Sequence, residues 1–221
     1  MNIKQNIRFF SETIPNSVKL VAVSKTKPNE IILEAYQAGQ KIFGENKIQD
    51  LVRKYEELPK DIEWHMIGHL QTNKVKYIAP FVGLIHAVDS LKLLSTINKE
   101  AQKNNRIIKC MFQLHIAEED TKFGLDYNKL IAILDSEEFS KFQNIEIVGL
   151  MGMATYTEEE DQIRNEFKYL ANSFKKIKNK YFSESEKFCE ISMGMSGDYR
   201  IAIEEGSTMI RVGSLIFGAR T

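Results

Sequence analysis

Eight short apolar runs, each followed by a helical pattern, recur along the 221 residues with no linker and no shift in composition. This alternation restricts the fold more than any other feature of the chain. The runs fall at 18–23, 41–43, 64–67, 84–88, 107–115, 145–151, 188–195 and 209–212. Helical patterns lie between them at 29–38, 47–58, 73–81, 91–103, 127–142, 158–180 and 198–205, with 215–220 covering the end and an amphipathic helix over 1–15 ahead of the first run. Runs that are apolar throughout and rich in β-branched residues read as strands buried on both faces, the parallel-sheet kind. Eight of them predict an α/β fold, a single closed (β/α)8 barrel over residues 1–221 with an N-terminal helix. An open doubly wound sheet is the competing architecture. The absence of a glycine-rich dinucleotide turn after the first strand favours the barrel.

Composition narrows the partner. Thirty basic residues balance thirty acidic ones, so no net field draws the chain to nucleic acid or to a membrane surface, and a small-molecule ligand is expected. Cys110 and Cys189 both lie in apolar runs without metal-ligand spacing and read as buried thiols of a reducing compartment. The N-terminal stretch MNIKQNIRFFSETIP carries charges throughout and lacks the apolar block of a signal peptide, and no later run is long enough to span a bilayer. The expectation is a cytoplasmic monomer.

The first strand ends in VSKTKP, which places Lys25 where the apolar run stops. A lysine held at such an edge can be desolvated, which lowers its pKa and makes its amine a nucleophile for carbonyl compounds. The alternative is a solvated charge where strand meets loop. In a (β/α)8 barrel ligands sit at the C-terminal ends of the strands, with phosphate bound by the loops after strands seven and eight. Those loops read Ser192-Met193-Gly194-Met195-Ser196-Gly197-Asp198 and Arg211-Val212-Gly213-Ser214. Both combine hydroxyls with glycines, and glycine lets backbone N–H groups approach an anion closely. Ser196 is otherwise an ordinary helix cap and Gly213 an ordinary turn residue.

Barrel closure makes strand eight the neighbour of strand one, which puts Lys25 within roughly 10 Å of Arg211 and Ser196. Alternation along strand eight gives Arg211 and Gly213 the same face; the alternative for Arg211 is an interior ion pair with a partner such as Glu190. A lysine amine, a phosphate cradle and an arginine at a pyridine nitrogen together suit pyridoxal 5'-phosphate (PLP) bound through a Schiff base. Asn46 either contacts the ring edge or caps the next helix. His65 and His69 bracket the end of strand three and read as pocket-lining or supporting groups rather than a metal pair, while His86 and His115 read as core residues. Met151, Met153, Met193 and Met195 read as core filler, with packing on a flat ring as the alternative for Met193 and Met195.

AVSKTKP (22–28), FGEN (43–46), WHMIGHLQTNK (64–74), TKFG (121–124), GLM (149–151), SMGMSGD (192–198) and RVGSLIFGAR (211–220) resemble the signature blocks of the pyridoxal phosphate homeostasis protein family, also called the proline synthetase co-transcribed proteins. The blocks occur in order and nearly end to end. The resemblance implies a fold similar to the alanine racemase N-terminal domain, Lys25 as the cofactor lysine, Arg211 at the pyridine nitrogen, and Ser196-Gly197 with Gly213-Ser214 at the phosphate. It further implies a protein that binds and buffers PLP without an assigned reaction, with PLP-dependent apo-enzymes as candidate recipients. Lys47-Ile48 after GEN and Gly152-Met153-Ala154 after GLM depart from the family's pattern.

Two rival activities remain. A PLP-dependent amino acid racemase needs a proton acceptor on each face of the substrate, and Lys25 serves one face only; Tyr156 and Tyr199 are the tyrosines nearest the expected mouth. A phosphosugar isomerase or aldolase also suits the fold, but the sixth strand ends GLMGMAT with no carboxylate to act as base.

Overall fold

The computed structural model describes residues 2–119 and 123–218. Eight parallel strands close into one barrel in chain order: β1 Lys19–Val23, β2 Ile42–Glu45, β3 Glu63–Met66, β4 Leu84–Val88, β5 Ile108–Gln113, β6 Ile145–Met151, β7 Glu190–Ser192 and β8 Met209–Val212. Barrel closure pairs β1 with β8, setting Val21 opposite Arg211. The helices on the outside are α1 Ile3–Thr13, α2 Asn29–Gln37, α3 Ile48–Glu57, α4 Val75–Ile78, α5 Leu91–Lys103, α6 Tyr127–Leu134, α7 Glu137–Ser140, α8 Glu160–Tyr181, α9 Tyr199–Glu204 and α10 Ser214–Phe217.

Local sequence explains most boundaries. The Asn2 side chain accepts the Gln5 N–H to start α1, whose Ile3, Ile7 and Phe10 recur at helical spacing and are buried. Ser90 caps α5 in the same way, and Gly39, at φ 100°, follows the end of α2 in a conformation closed to most side chains. The main core lies between strands and helices and is built from residues such as Ile32, Leu51, Trp64, Phe112 and Phe167. Each such side chain, fully buried, contributes about 1.5–3 kcal/mol.

Four expected elements are shorter or divided. Beyond β5, the Leu114 N–H still donates to the Met151 carbonyl of β6, but the His115 N–H turns to the Leu125 carbonyl, so the strand stops at Gln113. Before β7, Phe188 leaves the barrel wall to stack between Phe174 and Phe182, and after Ser192 the chain turns at Gly194, φ 95°. The 127–142 pattern splits because Ser136 accepts the Phe139 N–H and begins a new helix. The 73–81 pattern is a 3-10 turn, Thr72–Lys74, followed by the single α turn of α4. The terminal helix runs Ser214–Phe217; positions 219–221 and the Asp120–Lys122 part of the expected loop, with Thr121 and Lys122 of TKFG, lie outside the described residues.

The barrel interior is layered. Lys19, Glu63, Lys109, Glu146 and Glu190 ring the N-terminal end, and Val21, Leu84, Ala87, Met111, Val148, Met151 and Met209 form an apolar cluster above them. Gly149 lets β6 and β7 approach: a Cβ there would stand 1.7 Å from the Glu190 carbonyl oxygen. Cys110 is buried and unreactive in character, since burial pushes its thiol pKa up. Cys189 corrects the expectation of a buried thiol. It is exposed at the N-terminal end, where its N–H donates to the Val148 carbonyl of β6 and its side chain lines the opening beside Lys187 and Glu190.

Candidate functional site

After β1 the chain makes a tight turn in which the Lys27 N–H donates to the Ser24 carbonyl at 3.0 Å. Thr26, the third residue of the turn, has φ 66°, a left-handed conformation that costs a non-glycine residue about 1 kcal/mol or more. The turn carries Lys25, half-buried, at the wall of a cavity of about 620 Å³ at the C-terminal end of the barrel.

A buried assembly behind the wall holds this strained turn. Lys54 on α3 and Glu45 at the end of β2 form an ion pair at 2.7 Å with side chains 1% and 0% exposed. Lys54 Nζ also donates to the Ser24 carbonyl at 2.8 Å, and Ser24 Oγ donates to Glu45 Oε1 at 2.5 Å. Burial raises the Glu45 pKa, and the Lys54 charge pulls it back. The turn is therefore clamped at both the carbonyl and the hydroxyl of the residue preceding Lys25.

Opposite Lys25, the loops after β7 and β8 meet. The Gly213 N–H donates to Ser196 Oγ at 3.3 Å, and Ser196, Gly197, Gly213 and Ser214 line the same cavity as Lys25. At Gly197 a Cβ would point into open space, whereas at Gly213 it would meet the Val23 carbonyl oxygen at 3.2 Å. Gly213 thus lets the end of β8 lie against the end of β1. Asn46 completes the wall: its Oδ1 is buried and has no partner among the described residues, an acceptor available to a ligand's O–H or N–H.

Arg211 closes the cavity from below. Its guanidinium is buried and donates from Nη1 to Ser192 Oγ at 2.6 Å and from Nη2 to the Gly152 carbonyl at 3.0 Å. Burial lowers its pKa to about 10, far above neutrality, so it remains a cation with donors to spare. Under Ser192 lie His86 Nδ1 at 3.0 Å, then His65 Nδ1 at 3.0 Å from His86 Nε2, then Glu63 Oε1 at 3.1 Å from His65 Nε2.

The family model described as alanine racemase, N-terminal domain, matches residues 1–221. Among curated proteins, a pyridoxal phosphate homeostasis protein of Aquifex aeolicus is 39% identical over 93% of this chain and 88% of its own length. The human protein of the same name is 38% identical over 91% of this chain and 76% of its own. The chain belongs to the pyridoxal phosphate homeostasis protein family. A structure of its relative PipY from Synechococcus elongatus PCC7942, with PLP bound, superimposes with a TM-score of 0.89 at 34% identity, covering 98% of this chain and 100% of that one. Alanine racemase from Bartonella henselae shares the fold at a TM-score of 0.72 and 16% identity, with this chain covering 60% of its length.

Within this homeostasis-family barrel, Lys25, Asn46, Ser196, Gly197, Arg211, Gly213 and Ser214 share one cavity, as the sequence predicts. His65 and Ser192 stand beneath it inside the barrel, and Met193 is packed in the outer core. Glu190 pairs with Lys19, so the alternative partner for Arg211 is taken. His69 stacks on Phe123 and faces Asp89, away from His65. Of the two tyrosines, Tyr199 is buried against Phe10, and Tyr156 lines the cavity mouth at 95% exposure.

Three contributors escape sequence reading. Lys54 and Glu45 look like the charges of a polar helix and a strand end. Thr155, anchored to Glu166 by its N–H and its Oγ1, each at 2.6 Å, joins the cavity wall with Met153 and Ala154, so the segment that departs from the family's pattern is part of the site. The Glu63–His65–His86 chain had one legible signal: polar side chains at alternate positions of otherwise apolar strands.

Proposed function

We propose that this protein binds PLP at the barrel mouth and serves as a non-catalytic carrier in PLP homeostasis. One observation carries the reading: an amine, a buried guanidinium and two glycine–hydroxyl loops face a single cavity of about 620 Å³. The Lys25 amine condenses with the cofactor's aldehyde to a Schiff base, releasing water. Ser196-Gly197 and Gly213-Ser214 take the phosphate, and Arg211 donates to the pyridine nitrogen. The orphan acceptor on Asn46 suits a polar group on the ring edge. The relatives' shared name and the PLP-bound PipY structure support the same assignment.

Arg211 and the mouth support the carrier role over racemisation. A guanidinium donates only, so a ring nitrogen facing it stays unprotonated and withdraws electrons poorly. Tyr156, solvated at the rim, is not held as a second proton acceptor. The carrier acts as a monomer that yields PLP to apo-enzymes in a reducing cytoplasm, where the unpaired Cys110 and Cys189 remain thiols. Among the described residues no helix is long and apolar enough to cross a membrane.

The test is an absorption spectrum with PLP, followed by borohydride reduction and peptide mapping. The expected result is a visible band and a reduced pyridoxyl group on Lys25. A pyridoxyl group mapped to any other lysine, or no band, would overturn the assignment.

A further inference from the structure

A continuous line of hydrogen bonds runs through the barrel from its N-terminal end to the cavity. It passes from Arg211 to Ser192, His86, His65 and Glu63, with each step between 2.6 and 3.1 Å. The two ends differ in kind. A guanidinium only donates and a carboxylate only accepts.

The carboxylate determines every proton between them. Glu63 Oε1 accepts from His65 Nε2–H, which leaves His65 Nδ1 as an acceptor for His86 Nε2–H. His86 Nδ1 is then an acceptor for the Ser192 hydroxyl, whose oxygen is left to receive Arg211 Nη1–H. Both rings are neutral and both carry the proton on Nε2. Burial favours this state, since it pushes both imidazole pKa values down. Without an acceptor at the Glu63 position the polarity can reverse. His86 would then donate to Ser192 Oγ, which already receives the guanidinium, and the hydroxyl proton would be stranded inside the barrel.

We propose that Glu63, His65 and His86 are positioning residues, which hold Ser192 as an acceptor and thereby fix the Arg211 guanidinium toward the cofactor's ring nitrogen. This rests on the placement of Arg211 in the preceding reading. Ser192 and the Gly152 carbonyl engage one N–H each on the two terminal nitrogens, leaving the remaining donors for the cavity. Glu63 sits some distance from the mouth and is 46% exposed at the opposite end, so the orientation of the arginine depends on a residue that touches no ligand. Lys19, Lys109, Glu146, Lys187 and Glu190 are the other charges that ring the same end, and Lys19, Lys109 and Glu190 act on Glu63 or His65.

The experiment uses the full chain with 15N-labelled histidine, first without PLP. Two-bond proton–nitrogen correlations should show His65 and His86 as neutral Nε2–H tautomers. Glu63→Ala, at a half-exposed site that tolerates truncation, should convert His86 to a mixture of tautomers, whereas Glu63→Gln, whose amide oxygen still accepts, should restore the wild-type pattern. On titration with PLP, Glu63→Ala should bind about fivefold more weakly, the scale of one misplaced hydrogen bond, and Glu63→Gln within about twofold of wild type. If wild type binds PLP on Lys25 but Glu63→Ala changes neither the tautomers nor the affinity, the positioning role is overturned and the cofactor reading stands. Wild type that binds no PLP would overturn both.

Discussion

Lys54 Nζ and Glu45 Oε1 stand 2.7 Å apart in a site that water does not reach, and both also hold Ser24, the residue before Lys25. Removing one member of such a pair leaves an uncompensated charge in the core. Lys54→Met is therefore expected to lose about 3–5 kcal/mol of stability, measured by urea unfolding. Lys54→Met with Glu45→Gln should recover much of that loss. Equal stability of the single and double variants would show that the charge itself is not what the site requires.

Ser196 Oγ bridges to the Gly213 N–H between the two loops assigned to the phosphate. Ser196→Ala should weaken PLP binding by about 1–2 kcal/mol, the scale of a hydrogen bond to a charged group. Unphosphorylated pyridoxal should bind almost as before. Equal losses for the two ligands would remove Ser196 from the phosphate site.

His65 and His86 contribute a defined pH dependence. Burial, the largest cause, pushes both below the ordinary value of 6.5, and for His86 the adjacent His65 and Arg211 lower it further. The folded state then binds these protons only at lower pH than the unfolded chain does. Their stabilising contribution is complete above pH 6.5 and is lost as pH falls below it, at up to about 1.4 kcal/mol per pH unit for each ring. Urea unfolding at pH 7.5, 6.5 and 5.5 should show this slope, and His86→Asn should reduce it. A flat profile in wild type would contradict the buried neutral pair.

Arg211, donating to the ring nitrogen as proposed, would govern chemistry as well as binding. Wild type should accept amino acids at the PLP-loaded site yet show negligible racemase or transaminase turnover. Arg211→Glu, which permits a proton on the ring nitrogen, should raise turnover in protein verified as folded by circular dichroism. Robust wild-type turnover of ordinary amino acids would replace the carrier reading with the racemase one.

Gly149 tests the barrel itself. A methyl group there would collide with the Glu190 backbone, which has no rotamer to move aside. Gly149→Ala is expected to cost about 3 kcal/mol or more in thermal or urea unfolding. A near-neutral substitution would mean that β6 and β7 do not meet as described.

Local chemistry made the architecture and much of the cavity legible. Apolar β-branched runs bounded by turn residues locate eight strands, and the placement of ligands at strand ends follows from the fold class. Lys25, Ser196, Gly197, Gly213 and Ser214 are readable because a polar residue ending an apolar run, or a glycine beside a hydroxyl, is a pattern of neighbours in the chain. What tertiary structure alone decided depends on partners far apart in sequence. Lys54 reaches Ser24 across 30 positions and His86 reaches Ser192 across 106. By helical spacing Lys54 is one more charge on a polar helix, yet closure of α3 over β1 and β2 buries its ammonium. His86 reads as a core histidine, and only barrel closure sets it between His65 and Ser192. Desolvation turns these ordinary side chains into a clamp and a hydrogen-bonded chain, and desolvation is a property of the assembled barrel, not of any segment.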